Sequence, residues 1–155
     1  MATRRTSKKG SKQSREWRYV LLSLIGKHLD PENVAKALGI LPDCWSRLGE
    51  SDCPGGRKAE AGSWIIDGGS TAWRIETQIR HILKKISPAK QQLQKLIRED
   101  ETIEWAYLSI AVAPPREYPE ANYYFDAELM NEFTSLGIGI QVSVKIIERW
   151  EAYFS

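Results

Sequence analysis

Histidine and cysteine are scarce, with two of each in 155 residues. His28, His81, Cys44 and Cys53 would supply four zinc ligands by count. However, Cys-x8-Cys with the histidines far to either side matches no common zinc module, and no metal is expected. The two cysteines fall in a Pro/Gly-rich loop, where a local disulfide is geometrically conceivable but would belong to an oxidising compartment. No secretory signal precedes the first apolar segment, and no stretch approaches the ~20 apolar residues of a membrane span. The expectation is a cytoplasmic protein without a membrane partner.

Catalytic signatures are missing as well. The chain has no nucleophile placed with a base, no carboxylate pair on one element and no phosphate-cradling glycine loop. Pro54-Gly55-Gly56 and Gly68-Gly69-Ser70 are the glycine-rich pieces. The second precedes a helix, where Ser70 could meet an anion, but it lacks the Walker lysine; a turn plus an ordinary cap explains it. No catalytic residue and no cofactor is assigned.

Acid is absent from residues 1–15, which carry Arg4, Arg5, Lys8, Lys9, Lys12 and Arg15. The formal net charge of +2 therefore hides an asymmetry: positions 16–155 hold 16 basic against 20 acidic residues, a body of about −4. Two readings of this tail stay open. With Ser, Thr, Gly and Lys and no large apolar residue it has the composition of a disordered end, and those six cations could also contact nucleic acid, where neutralising phosphates releases counterions. The expected division is a basic tail at 1–15 and one α+β domain at 16–155, long enough to bury roughly two-thirds of its unfolded surface.

What is present is a sequence of well-punctuated elements. Trp17, Tyr19, Leu21, Ser23 and Ile25 alternate with Arg18, Val20, Leu22 and Leu24, so both faces become apolar, as in an interior strand covered on both sides. Asp30 as N-cap, Pro31 at the first helical position and Gly39 at the end predict a short helix that returns to the sheet at Ile40 and Leu41. Turn signals between Pro42 and Gly62 place at least one reversal there, followed by a return strand from Lys58 to Ile66. Trp45 and Trp64 bracket this region, and either pack together as a small loop core or line a groove with Arg47 and Arg57.

Ser70 or Thr71 is the expected cap of a helix carrying Ile75, Ile79, Ile82, Leu83 and Ile86. Ser87-Pro88 then restarts it through Leu93, Leu96 and Ile97, a kinked pair whose Lys84, Lys85, Lys90, Lys95 and Arg98 form a solvated face. Ile103 to Val112 is a second two-faced strand. A proline-interrupted connection from Ala113 to Phe125 carries Tyr118, Tyr123 and Tyr124. Asp126 caps a helix with Leu129, Met130, Phe133 and Leu136, Gly137 ends it, and Ile138 to Ile147 alternates as the last strand. Trp150, Tyr153 and Phe154 suggest a C-terminus docked on the body.

Leu29-Asp30-Pro31-Glu32 leading to Leu38-Gly39-Ile40 is echoed by Phe125-Asp126-Ala127-Glu128 leading to Leu136-Gly137-Ile138. Capping chemistry alone creates part of this match. The simplest architecture is α+β, with a mixed β-sheet, helices mainly on one face, and duplicated βαβ halves in a ferredoxin-like arrangement.

The order LDPENVAKALGILPD, then Trp45 and Gly49, Gly56-Arg57, Gly62-x-Trp64, and a long helix with His81 and the Ser87-Pro88 restart resembles a bacterial family of uncharacterised domains. The resemblance covers most of residues 17–147 and leaves out the tail. It implies a small stand-alone cytoplasmic domain without an assigned activity, some of whose relatives are thought to be immunity proteins that neutralise a toxin. It also implies that Asp30, Gly39, Trp45, Gly49, Arg57 and Trp64 recur in the family. Together these readings favour a non-catalytic protein-interaction domain, with Trp45, Arg47, Arg57, Tyr118, Tyr123 and Tyr124 as partner-binding candidates because Trp, Tyr and Arg dominate interface hot spots. Nucleic-acid binding through the tail is the alternative, and an enzyme of unknown class the third.

Overall fold

The structure, a computed structural model, describes residues 17–51, 57–71, 73–114 and 123–144. The basic tail, Cys53, Tyr118, the end of the expected last strand and the aromatic C-terminus lie outside these residues. In chain order the elements are β1 (Trp17–Gly26), α1 (Pro31–Leu38), β2 (Cys44–Ser46), β3 (Gly62–Asp67), α2 (Ile75–Ile86), α3 (Lys90–Glu99), β4 (Trp105–Ala113), α4 (Ala127–Thr134) and β5 (Gly139–Val144). One turn of 3-10 helix at Ser87–Ala89 joins α2 to α3, as Ser-Pro requires.

The strands form one sheet in the order β2-β3-β1-β4-β5, so both two-faced strands, β1 and β4, are interior. β1 pairs antiparallel with β3 and β4, β2 is antiparallel to β3, and β4 and β5 are parallel. It follows that β2 runs in the direction of β1, with β3 inserted between them. Each Asp-capped helix therefore links two strands of like direction: α1 links the separated pair β1 and β2, and α4 the adjacent pair β4 and β5.

Alternation fixes what each face buries. Val20, Leu22 and Leu24 of β1, Leu108, Ile110 and Val112 of β4, and Trp64 and Ile66 of β3 are fully buried. They form one cluster with Val34 and Leu38 of α1, Ile79, Ile82 and Ile86 of α2, Leu93 of α3, and Leu129 and Phe133 of α4. The opposite face carries Trp17, Tyr19, Leu21 and Ile25 of β1, Ile65 of β3 and Tyr107 of β4, all half-buried, with Trp105 exposed. The equal apolarity of β1's two faces thus reflects unequal cover, since the described helices pack on one side. β5 does not bury one face along its length: Gly139 and Gln141 are exposed on one side, and the other side is covered only at Ile140. Ile140 packs against the core, while Val142 and Val144, on the same side, are exposed at the sheet edge.

Asp30 accepts the Glu32 amide at 3.0 Å, and Asp126 accepts those of Glu128 and Leu129, so both predicted N-caps are in place. Gly39 at φ 66° ends α1 and Gly137 at φ 85° follows α4. Four expectations are corrected. The sheet is re-entered at Cys44 rather than at Ile40 and Leu41; Leu41 is 83% exposed. The return strand is shorter than Lys58–Ile66, because 58–59 pair with 50–51 ahead of β3 and so extend a β2–β3 hairpin. Trp64 belongs to the main core rather than to a small loop core.

The fourth concerns α2, which starts after Arg74 without a side-chain cap; Ser70 and Thr71 lie in the preceding turn. Gln78 ties the start of α2 to β1. β3 pairs with β1 only from Leu21 onward, which leaves the backbone of Arg18 to Val20 without a strand on that side. The buried Gln78 side chain takes its place. Its Oε1 accepts the Val20 amide at 2.9 Å, and its Nε2 donates to the carbonyls of Arg18 at 3.2 Å and Trp73 at 3.1 Å. A Cβ on Gly68 would lie 2.6 Å from that of Gln78, and one on Gly69, at φ 91°, would meet the Trp73 ring. The Gly68-Gly69 pair is therefore a packing requirement.

Candidate functional site

β2 sits at a sheet edge and is short, as edge strands often are. Trp45 on β2 lies directly opposite the buried Trp64 of β3, yet it is 46% exposed because the sheet ends beside it. Its neighbours come from the start of α1 and the segment after it: Pro31, Ala35, Leu41 and Pro42 line a groove of about 180 Å³ with Trp45, Glu32 and Arg47. Leu48 is also exposed, so Leu41, Trp45 and Leu48 place apolar surface at this edge.

Arg47 organises the groove's polar rim. Its guanidinium lies 5.1 Å from the Trp45 ring centroid, a cation–π contact. Nη2 is 3.4 Å from Asp30 Oδ1 and 3.3 Å from Glu32 Oε1, and Nη1 is 3.8 Å from Glu50 Oε1. Desolvation works against its charge, but Asp30, Glu32 and Glu50 outweigh that and hold Arg47 above its usual range. Asp30 thus does two jobs, capping α1 and holding Arg47. Such solvent-screened contacts contribute little to folding. Their main effect is to hold a long, rotamer-rich side chain in one place over an aromatic ring. Ordering it in advance lowers the cost of binding there.

Beside it, Asp43 anchors the entry to β2. It accepts the Asp67 amide at 3.0 Å and pairs with Lys85 of α2 at 2.7 Å. Burial disfavours the charged carboxylate, but Lys85 and the Asp67 amide prevail and hold Asp43 below the usual range.

The predicted site residues divide. Trp45 and Arg47 meet in one groove. Arg57 is exposed at the start of the return arm, next to Lys58, and is not part of the groove lining. Tyr123 is half-buried against the core, while Tyr124 is 85% exposed. Both immediately precede α4, which packs on β5 at the other edge of the sheet. Four interstrand spacings of ~4.8 Å put the two edges roughly 19 Å apart. The described candidates therefore fall on two surfaces rather than one. Sequence reasoning missed Leu41, Leu48 and the three carboxylates. Only Asp30 carried a signal, and that signal was its cap.

The remaining candidates for chemistry disperse. Lys85, Lys90, Lys95 and Arg98 are taken up in ion pairs with Asp43, Glu132 and Glu99, so the helix lysines do not form a bare cationic stripe. A wider groove of about 380 Å³ between α2 and α4 is bridged by the Lys90–Glu132 pair. His81 is half-buried edge-to-face on Trp73, 5.5 Å between centroids. His28 and Cys44 are exposed, and among the described residues no cluster of His, Cys, Asp and Glu could hold a metal ion. No helix among them is long and apolar enough to cross a membrane.

No curated protein and no solved structure matches the chain. Residues 15–146 match the family model described as a domain of unknown function, DUF4279, and the chain belongs to that family.

Proposed function

We propose that this protein is a non-catalytic interaction module that binds a partner protein through the Trp45–Arg47 surface. The observation that carries the reading is a half-exposed tryptophan beside a small apolar groove, with an arginine fixed over its ring by three carboxylates. Hot spots are built from such Trp and Arg anchors, pre-ordered and ringed by near-neutral contacts. An immunity-type inhibitor, with a toxin as its partner in the cytoplasm, is the form of this reading that the sequence resemblance suggests. We also assign the first four strands to a ferredoxin-like split βαβ, with α4 and β5 as a second, shorter unit. The order β2-β3-β1-β4 and the like direction of β1 and β2 support this assignment.

The test is binding by alanine variants. Trp45→Ala and Arg47→Ala should each weaken the partner by more than ~1 kcal/mol, roughly fivefold, while Tyr124→Ala on the other edge has little effect. Losses below that for both groove variants would sink the reading.

A second reading draws on the sheet face opposite the described helices, where Trp17, Tyr19, Tyr107 and Trp105 share one side, the first two 4.5 Å apart and edge-to-face. Bases could stack there while Arg4, Arg5, Lys8, Lys9, Lys12 and Arg15 contact phosphates. It requires binding of single-stranded nucleic acid that falls steeply with salt and vanishes when residues 1–15 are removed.

A further inference from the structure

We infer that the segment received by the Trp45 groove is cationic: one apolar anchor side chain flanked by lysine or arginine. This deepens the interaction reading and rests on it. At about 180 Å³ the groove is well below the 300–1,000 Å³ of a small-molecule or cofactor site, and its walls are mainly apolar, Pro31, Ala35, Leu41, Pro42 and the Trp45 ring, with Glu32 and Arg47 as the polar part of the lining. It suits a single side chain delivered by a larger partner.

Charge complementarity sets the sign of the partner segment. Asp30, Glu32 and Glu50 converge on one guanidinium, and among the described residues none of the three has another ion pair. The cluster carries three negative charges against one positive. Of the three carboxylates Glu32 lines the groove and Asp30 and Glu50 flank it, while Lys36, one turn beyond Glu32, and Lys58, opposite Ser51, pair with none of them. The rim is therefore acidic even though its most visible residue is an arginine. An acidic segment would face two surplus carboxylates, whereas a basic one supplies the missing counter-charge and can share Glu32 and Glu50, both well exposed.

The test uses the full chain, labelled with nitrogen-15, and three nonapeptides: leucines among lysines and arginines, the same with glutamate for each cation, and the same cations with alanine for each leucine. The expected result is that the basic leucine peptide alone shifts the Trp45 indole N–H and the amides of Ala35 and Leu41. It should bind at least ~10-fold more tightly than the other two and weaken several-fold between 50 and 300 mM salt, as screening requires. Glu32→Gln with Glu50→Gln should weaken it several-fold while leaving the other tryptophan signals and the melting temperature unchanged. Equal binding of the acidic peptide at Trp45 would overturn the cationic assignment and leave the interaction surface standing. If no peptide shifts Trp45 at millimolar concentration, or if shifts fall elsewhere, both fail.

Discussion

Gln78→Met isolates the one side chain that finishes the central strand. Methionine nearly matches glutamine in volume and helix propensity, so α2 and its packing should survive while all three hydrogen bonds to Val20, Arg18 and Trp73 are lost. The Val20 amide is left buried without its acceptor, which costs about 1–3 kcal/mol, and the two lost carbonyl bonds add about 0.5–1.5 kcal/mol each. The sum is about 2–6 kcal/mol, and its midpoint of about 4 kcal/mol is equivalent to a fall of about 8–16 °C in melting temperature for a chain of this size. Urea unfolding followed by circular dichroism measures the total, and hydrogen exchange at the Val20 amide measures its local part. Stability within ~0.5 kcal/mol of the parent, or unchanged protection at Val20, would refute the claim that Gln78 stands in for a strand.

Glycine substitutions should separate close approach from backbone conformation. A Cβ at Gly26 would strike the Thr102 carbonyl and one at Gly62 the Leu29 carbonyl, so alanine at either should cost about 3 kcal/mol or more and prevent accumulation of folded protein. Gly39 faces open space but sits at φ 66°, and Gly39→Ala should lose only about 1 kcal/mol by chemical denaturation. Asp43→Asn keeps an acceptor for the Asp67 amide but removes the charge facing Lys85, at a cost of about 1 kcal/mol at pH 7. Because the Asp43 pKa is lowered by folding, its stabilisation is present above the ordinary carboxylate value near ~4 and disappears as pH falls through the lowered one. The parent and variant melting curves should therefore converge in acid. Trp45→Ala should change stability by less than ~1.5 kcal/mol, since the side chain is half exposed, and a larger loss would assign it to the core.

Local chemistry was legible in the residues. Asp30, Asp126, Gly39 and Gly137 act as predicted because caps depend on neighbours within one turn. The interruption at Ser87-Pro88 and the interior positions of β1 and β4 were readable for similar reasons, one steric and one periodic, although α3 starts at Lys90 with no side-chain cap from Ser87. The misses lie where distant segments decide. β2 is three residues long and shows no periodicity; it exists because Cys44 and Ser46 find partners on β3. Arg74 stands before α2 in place of Ser70 and Thr71, at a junction where Gln78 reaches the backbone of Val20, 58 positions away. At the site, the aromatic and arginine pair could be picked out by type. The carboxylates that fix Arg47 come from α1 and the loop after β2, and Tyr123 and Tyr124 stand at the far side of the sheet.

The most direct test of the interaction claim is quantitative capture from nuclease-treated lysate of the source organism. Full-length protein, the Trp45→Ala/Arg47→Ala double variant and Tyr124→Ala serve as parallel baits, with recovered proteins counted by mass spectrometry. The account predicts a stoichiometric protein partner held by the parent and by Tyr124→Ala and reduced at least ~10-fold by the double variant. A partner retained undiminished by the double variant, or capture abolished by nuclease, would contradict it.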